Sequence, residues 1–371
     1  MFLLVGAALA GDWSLTPMPI GDYSTDHGIG YGGYGLAVRR EHEGADDYQL
    51  RLGLQLFWST GRYRNHWLKA EAPGIRGSPW SVEVEAGWEA WEFAPYYGAG
   101  NAVEVSKDAS ENFDAYDIAG GYVLSNLRRD LVGSWDAFAT ALYRPTQVNP
   151  YPQTRLSAEA PLGLFGGRAT RLGVGLIHDT RRGLPNPTSG HATELSVRIS
   201  HRWLGSEFSG FGLTFADRRF HPIAQCDRLV FASQIVADVR FGEEPFFMAH
   251  ILGGSRWLAL GGPDLLRGFP EGRFRGDGAL VVAEELRWTA HVLNIRGHSL
   301  GLAPTPFFEV GRVWLRGEDD PWWHVHGDAG LGLRFIWDED LVIRWDTAIG
   351  LEEYDELSPV LGMWFMFDHP F

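Results

Sequence analysis

Apolar and polar residues alternate with a period of two over segment after segment of this chain, and a segment so patterned presents one apolar face only when it is extended. Val82, Val84, Ala86 and Trp88 oppose Glu83, Glu85 and Glu89, and Leu195, Val197, Ile199 and Trp203 oppose Glu194, Ser196, Arg198 and Arg202. The pattern recurs with Ile235, Ala237, Val239 and Phe241 against Gln234, Asp238 and Arg240, and with Ile343, Trp345, Thr347 and Ile349 against Arg344, Asp346 and Gly350. Helical periodicity is nearly absent. The spacing predicts about sixteen strands, the first near residues 29 to 43, one near 246 to 254 and the last near 358 to 371. Many exceed the roughly 9 to 11 residues that cross a bilayer at a tilt.

An even number of long strands, charged on one face and apolar on the other, suits a closed antiparallel transmembrane β-barrel with a wet lumen. Trp88, Trp203, Trp257, Trp288, Trp314, Trp322, Trp323 and Trp337 stand near strand ends, as interfacial girdles require. No apolar run is long enough for a membrane-spanning helix. The net charge of -15 speaks against nucleic acid as a partner. The single Cys226 excludes an internal disulfide and a cysteine zinc cluster. No linker-like composition break divides the 371 residues, so one large domain is expected. Residues 1 to 10 read as a secretory leader ending Ala8-Leu9-Ala10, though no Lys or Arg precedes it. Residues 11 to 28 then form a short N-terminal segment, and residues 29 to 371 the barrel.

One connection is too long for a turn. Between Ile251 and Trp288 a glycine-studded stretch carries Leu266, Arg267, Gly268 and Phe269 far from either end. Its apolar groups need a packing surface, so it is expected to fold back against the scaffold as a lumen loop. A guanidinium held there needs carboxylates, and Glu285 and Glu309 follow in sequence. By alternation Phe307, Glu309 and Gly311 share one strand face, and Gly311 leaves room beside Glu309.

These residues resemble the bacterial surface antigen family, the BamA/TamA-like outer-membrane assembly factors. Leu266-Arg267-Gly268-Phe269 is similar to the family's loop motif [V/I/L]-R-G-[F/Y], and Phe307-Phe308-Glu309-Val310-Gly311 to its F-x-D-x-G strand, with Glu in place of Asp. Glu285-Leu286-Arg287 is similar to its E-x-R. Asp179, Arg181, Pro187 and Gly190 match its D-x-R...P-x-x-G turn, and the chain ends in Phe371 as outer-membrane barrels commonly do. The resemblance implies that Arg267 reaches Glu285 and Glu309 as a loop lock, with Gly268 permitting the tight turn; a salt bridge that only stabilises the fold is the plain alternative. It also implies a weak seam between the first and last strands, loosened by Gly30, Gly32 and Gly33 and ending at Phe371. That seam is either a lateral gate or a merely flexible edge. Glu284 falls on the lipid face beside Leu286 and Trp288, which suggests a bulge, an interfacial position or a local slip of the strand register. The family's periplasmic POTRA domains have no counterpart ahead of the first expected strand.

Other motifs carry less. Gly28-Ile29-Gly30-Tyr31-Gly32-Gly33 fits a dinucleotide fingerprint without the strand before it or the helix after it. Gly297-His298-Ser299-Leu300-Gly301 fits a nucleophile elbow but lies between two strands. His324 and His326 lack a third ligand. No catalysis, metal or cofactor is expected. The expected place is the bacterial outer membrane, with lipid around the barrel and unfolded client proteins or a periplasmic partner in trans as partners. The expected role is protein insertion or passage; the alternative is a passive pore, preferring cations because of Glu83, Glu85 and Glu89, or a structural outer-membrane barrel.

Overall fold

The computed structural model describes residues 7–8, 13–40, 48–101, 113–224, 226–295, 297–338, 341–351, 361–367 and 369–371. Sixteen antiparallel strands build a nearly closed barrel. They are β1 (Trp13–Ser24), β2 (Gly28–Arg40), β3 (Tyr48–Ser59), β4 (Tyr63–Ala72), β5 (Trp80–Pro95), β6 (Ala115–Asp130), β7 (Trp135–Pro150) and β8 (Gly166–Asp179). The second half holds β9 (Gly190–Ser200), β10 (Gly210–Ile223), β11 (Cys226–Gly242), β12 (Gly278–Trp288), β13 (His298–Trp314), β14 (His326–Trp337), β15 (Leu341–Gly350) and β16 (Leu361–Phe367). Each strand pairs with its sequence neighbour, and both terminal strands meet the rim opposite the long connection between β11 and β12.

Alternation sets the two faces. On β8 and β9, Leu172, Val174, Leu176, Leu195, Val197 and Ile199 are exposed on the outside, while Glu194 and Ser196 are buried on the inside. An apolar exterior around a charged, hydrogen-bonded interior is the arrangement that a bilayer imposes on strands.

Two strand expectations are corrected. Trp13–Ser24 is the first barrel strand, so the barrel begins ahead of residue 29 and the glycines of β2 lie one strand in from the seam. Gly30, Gly32 and Gly33 pair with Asp22, Ile20 and Pro19. A Cβ at Gly30 would lie 1.8 Å from Asp22 Oδ1 and 2.4 Å from the Phe57 ring, so this glycine makes room for inward side chains. The stretch near 246 to 254 is not a strand: Phe246, Phe247 and Met248 form a 3-10 turn packed with Tyr96, Leu156 and Phe208. Glu284 needs no bulge, because β12 keeps one register from Gly278 to Trp288 against β11.

β16 and β1 are hydrogen-bonded neighbours and bring the two ends of the sheet together. The two strands lie side by side near the loop end, where Met363 N donates to Thr25 Oγ1 at 3.4 Å. Phe371 is not part of that edge. The chain after β16 turns inward, burying His369 and Phe371, and Phe371 packs against Phe220. Arg287 lies over the Phe371 ring and donates to its carbonyl at 3.0 Å.

Candidate functional site

The long connection is pinned to the inner wall by charge and by apolar packing. Leu252, Leu258, Leu260, Leu265, Leu266, Phe269 and Phe274 form one buried cluster with Val281 of β12 and Val313 of β13. At its centre Arg267 is fully buried. Its Nη1 donates to Glu285 Oε1 at 2.8 Å and to Asp346 Oδ2 at 3.0 Å. Glu309 Oε2 accepts from both Arg267 N at 2.7 Å and Nε at 3.2 Å. The guanidinium also lies 3.6 Å from the centre of the Phe307 ring. Three carboxylates outweigh burial and hold the Arg267 pKa well above its ordinary value, so its charge is permanent.

The carboxylates are themselves shared. Arg287 Nε donates to Glu285 Oε2 at 2.8 Å, Arg334 Nη2 to Glu285 Oε1 at 3.1 Å, and Arg344 Nη1 to Asp346 Oδ2 at 2.7 Å. Arg334 Nη1 also donates to Asp346 Oδ1. The network therefore ties the loop to β12, β13, β14 and β15. Asp328, Asp346, Arg334 and Arg344 escaped the sequence reading. Their inward alternation was visible, but only strand register shows that they converge on Arg267.

One glycine role differs from expectation, that of Gly268. The left-handed residue of the motif is Leu266, at φ 57, and not Gly268. Gly268 instead permits close approach: its amide donates to Asp328 Oδ2 at 3.1 Å, and a Cβ there would lie 2.6 Å from Asp328 Cβ and 2.8 Å from Gly350 N. Gly311 leaves space for Leu266, whose Cδ1 would sit 3.3 Å from an added Cβ. Phe269 is buried against Gly350 and Phe274.

A second anchor holds the loop's ends. Arg198 pairs with Asp238 through two bonds of 2.8 Å, and Asp238 Oδ2 accepts from Gly253 N at 3.1 Å. Arg240 donates to the carbonyls of Ile251 at 2.9 Å and Gly276 at 3.0 Å, tying the two ends of the loop together. Glu194 Oε1 accepts from Ser255 N at 2.7 Å.

The loop also spans the seam. Trp364 of β16 donates Nε1–H to Arg267 O at 2.8 Å, and a Cβ on Gly362 would meet the same oxygen at 1.9 Å. On the other side Glu271 N donates to Asp26 Oδ2 at 2.6 Å, in the turn between β1 and β2. His27 Nε2 of that turn lies 3.5 Å from Glu271 Oε2.

The turn between β8 and β9 is a separate unit. Asp179 Oδ1 accepts from Arg181 N at 3.1 Å and Nε at 3.0 Å, and Oδ2 from Nη2 at 2.7 Å. Gly190 sits at φ 92, where a Cβ would meet Thr180 O at 2.2 Å. Pro187 and Arg181 line a lumen cavity of about 2140 Å³. Glu83, Glu85 and Glu89 line it too, but each is engaged: Lys69 lies 3.1 Å from Glu83, Tyr122 donates to Glu85 at 2.7 Å, and Arg144 lies 2.9 Å from Glu89. Arg40, Arg51, Arg128, Arg218 and Arg256 share the wall, so its charge is mixed rather than acidic. Ser299 stands within β13, with its amide donating to Asp338 Oδ1 at 2.8 Å and no helix after it, so the elbow geometry is missing.

A barrel whose long connection is bonded through one buried arginine to carboxylates of its own strands narrows the field, and comparison decides it. The Omp85 superfamily domain profile matches residues 41–355. The chain belongs to the Omp85 superfamily. Its fold is similar to that of BamA from Haemophilus ducreyi lacking POTRA domains 1-3, at a TM-score of 0.59 and 14% identity over 99% of this chain and 75% of that one. CdiB from Escherichia coli gives a TM-score of 0.59 at 13% identity over 98% of this chain and 63% of that one. CdiB from Acinetobacter baumannii gives 0.54 at 14% over 96% and 60%. No curated protein sequence matches. Omp85 barrels are non-enzymatic insertion and transport factors of the outer membrane.

Proposed function

We propose that this Omp85 barrel assists insertion or passage of polypeptide at the outer membrane, with the junction of β1 and β16 as its moving part and the Arg267 lock as its brace. The observation that carries this reading is the loop's position across the seam. Arg267 O holds Trp364 of the last strand while Glu271 N holds Asp26 beside the first. A brace anchored on β12 to β15 can steady both sides of that junction. The clients are unfolded proteins.

The alternative of a passive pore draws on the cavity alone. Planar-bilayer conductance of the purified barrel, wild type against Arg267→Ala, separates the two. A low, flickering conductance that becomes large and steady in the variant supports a braced, gated barrel. A steady conductance indifferent to the substitution sinks it and leaves the pore.

A further inference from the structure

One buried guanidinium of the wall faces no carboxylate. The arginines of the lock and of the second anchor each have an acid at hydrogen-bond distance, Arg267 with Glu285 and Arg240 with Asp238 among them. Arg218 of β10 is only 5% exposed, yet among the described residues its Nε has no hydrogen-bond partner and no carboxylate pairs with it. The acids that act on it are already taken: Asp179 holds Arg181 at 2.7 Å, and Glu194 accepts from Ser255 N at 2.7 Å. Asp217, its neighbour in sequence, falls on the opposite face and pairs with Arg219 at 2.6 Å. The charge that Arg218 feels most strongly is another cation, that of Arg256 in the long connection.

Arg256 is in the same position from the loop side. It is exposed to the lumen, has no ion pair among the described residues, and its Nη2 reaches only the His369 carbonyl, at 3.5 Å. The wall beside Arg218 is short of partners too, because Gln234, opposite it on β11 and on the same face, is fully buried with neither carboxamide atom bonded. Both arginines line the lumen cavity, as do Pro73, Asp130, Leu184 and Asp338 at the rim opposite the long connection, so the site communicates with that rim. Two like charges facing one cavity repel each other, and burial adds to the cost of the one in the wall. An oxyanion shared between them relieves both.

We infer that Arg218 and Arg256 form an oxyanion site in the lumen, which takes a carboxylate of an acidic polypeptide segment entering from the rim opposite the long connection. A planar guanidinium fork matches a carboxylate bidentately. Phosphate offers the same acceptor geometry, but the strands keep bilayer headgroups out of the lumen, which leaves polypeptide and small free anions as sources. The cavity of about 2140 Å³ has room for a stretch of chain. Across it Glu83 and Glu89 are already paired with Lys69 and Arg144, so they do little to repel an acidic segment. The inference rests on polypeptide being the client, and it names the chemistry by which the lumen recognises it.

The test uses the full chain purified in detergent micelles. The probe is a glycine-serine peptide with three glutamates and a neutral fluorophore, read by anisotropy against the same peptide with three glutamines. The wild type should bind the glutamate peptide on the order of tenfold more tightly, the scale of charge-assisted hydrogen bonds. Arg218→Gln and Arg256→Gln should each remove most of that preference, while Arg40→Gln, which takes the same charge from another part of the cavity wall, should leave it. Equal loss in all three variants overturns the inference, as does loss of the preference in low-millimolar acetate or phosphate at constant ionic strength, which makes a small free anion the occupant. Equal binding of both peptides sinks the site alone, whereas binding of neither also tells against polypeptide as the client. The thermal midpoint separates binding from support: Arg218→Gln removes an unpaired buried charge, so the midpoint should hold or rise, and a clear drop would mark a structural arginine and overturn the assignment. Heat-modifiable gel mobility reports that each variant is a folded barrel, and Arg256→Gln, on an exposed side chain, decides the matter if Arg218→Gln does not fold.

Discussion

Arg267 shows what a single buried guanidinium demands. Its three carboxylate partners lie on β12, β13 and β15, and their side chains are fully buried with it. Removing it leaves those carboxylates without their shared cation, and breaking a buried pair on one side costs about 3 to 5 kcal/mol. We therefore expect Arg267→Ala to lower the thermal midpoint, followed by loss of near-UV signal from the buried aromatics. Removing the ring beneath it is milder: Phe307→Leu gives up a cation–π contact of about 1 to 2 kcal/mol while keeping an apolar wall, and double-variant analysis with Arg267→Ala should show that the two losses are not additive. Gly362→Ala tests the link to the last strand, because its Cβ would be placed 1.9 Å from Arg267 O. The expected outcome is loss of the Trp364 bond and a changed Trp364 fluorescence in a barrel that still migrates as folded.

At the scale of elements, the contact between the loop and the first hairpin carries a pH dependence. Burial, reinforced by Glu89, Asp26 and Asp264 and opposed by Arg144, pushes the Glu271 carboxyl up to about 8. Burial likewise raises Asp26 to about 6 and lowers His27 to about 3. A raised carboxyl binds its proton more tightly in the folded state, so its contribution is fully present below the ordinary carboxyl range and is lost as pH climbs to about 8. His27 acts in the opposite sense, but only between about 3 and its ordinary 6.5. From 6.5 to 8, Glu271 titrates by itself among these three groups, and its 23% exposed side chain makes the effect partial. Hydrogen exchange at the Glu271 amide should accelerate over that window, and Glu271→Gln should flatten the response; a flat wild-type profile would contradict the assignment.

The same scale explains what the sequence disclosed. Long strands such as β5 and β9 were legible because a lipid outside and a wet inside enforce alternation on every residue. β1 was missed because Pro17 and Pro19 break the usual strand signal. The stretch near 246 to 254 misled because Phe246, Phe247 and Met248 are apolar without alternation, as befits a plug packed on all sides. Of the lock, the arginine and two carboxylates could be read from motif and spacing. Asp346 and the arginines around it could not, since convergence depends on how strands distant in sequence are staggered.

For the whole molecule, the mixed charge of the cavity predicts a conductance with little preference between cations and anions. The reversal potential in a salt gradient should lie close to zero, and Glu83→Gln should move it toward anion preference by removing one of the two carboxylates that Lys69 pairs with. A strongly cation-selective channel would mean that the paired carboxylates dominate the path after all.

The lock also constrains the order of assembly. Arg267 precedes in sequence all three of the carboxylates it holds, and these sit on strands that close the barrel late along the chain. A wall that shut with the loop left outside would seal Glu309 away from the arginine that pairs with it, and the apolar tip of the loop would remain in water. Threading it through a finished cylinder afterwards would require dragging a guanidinium past a charged wall. The nascent barrel is therefore expected to curl around its loop, using the arginine as a mandrel on which the last four strands before β16 are wound.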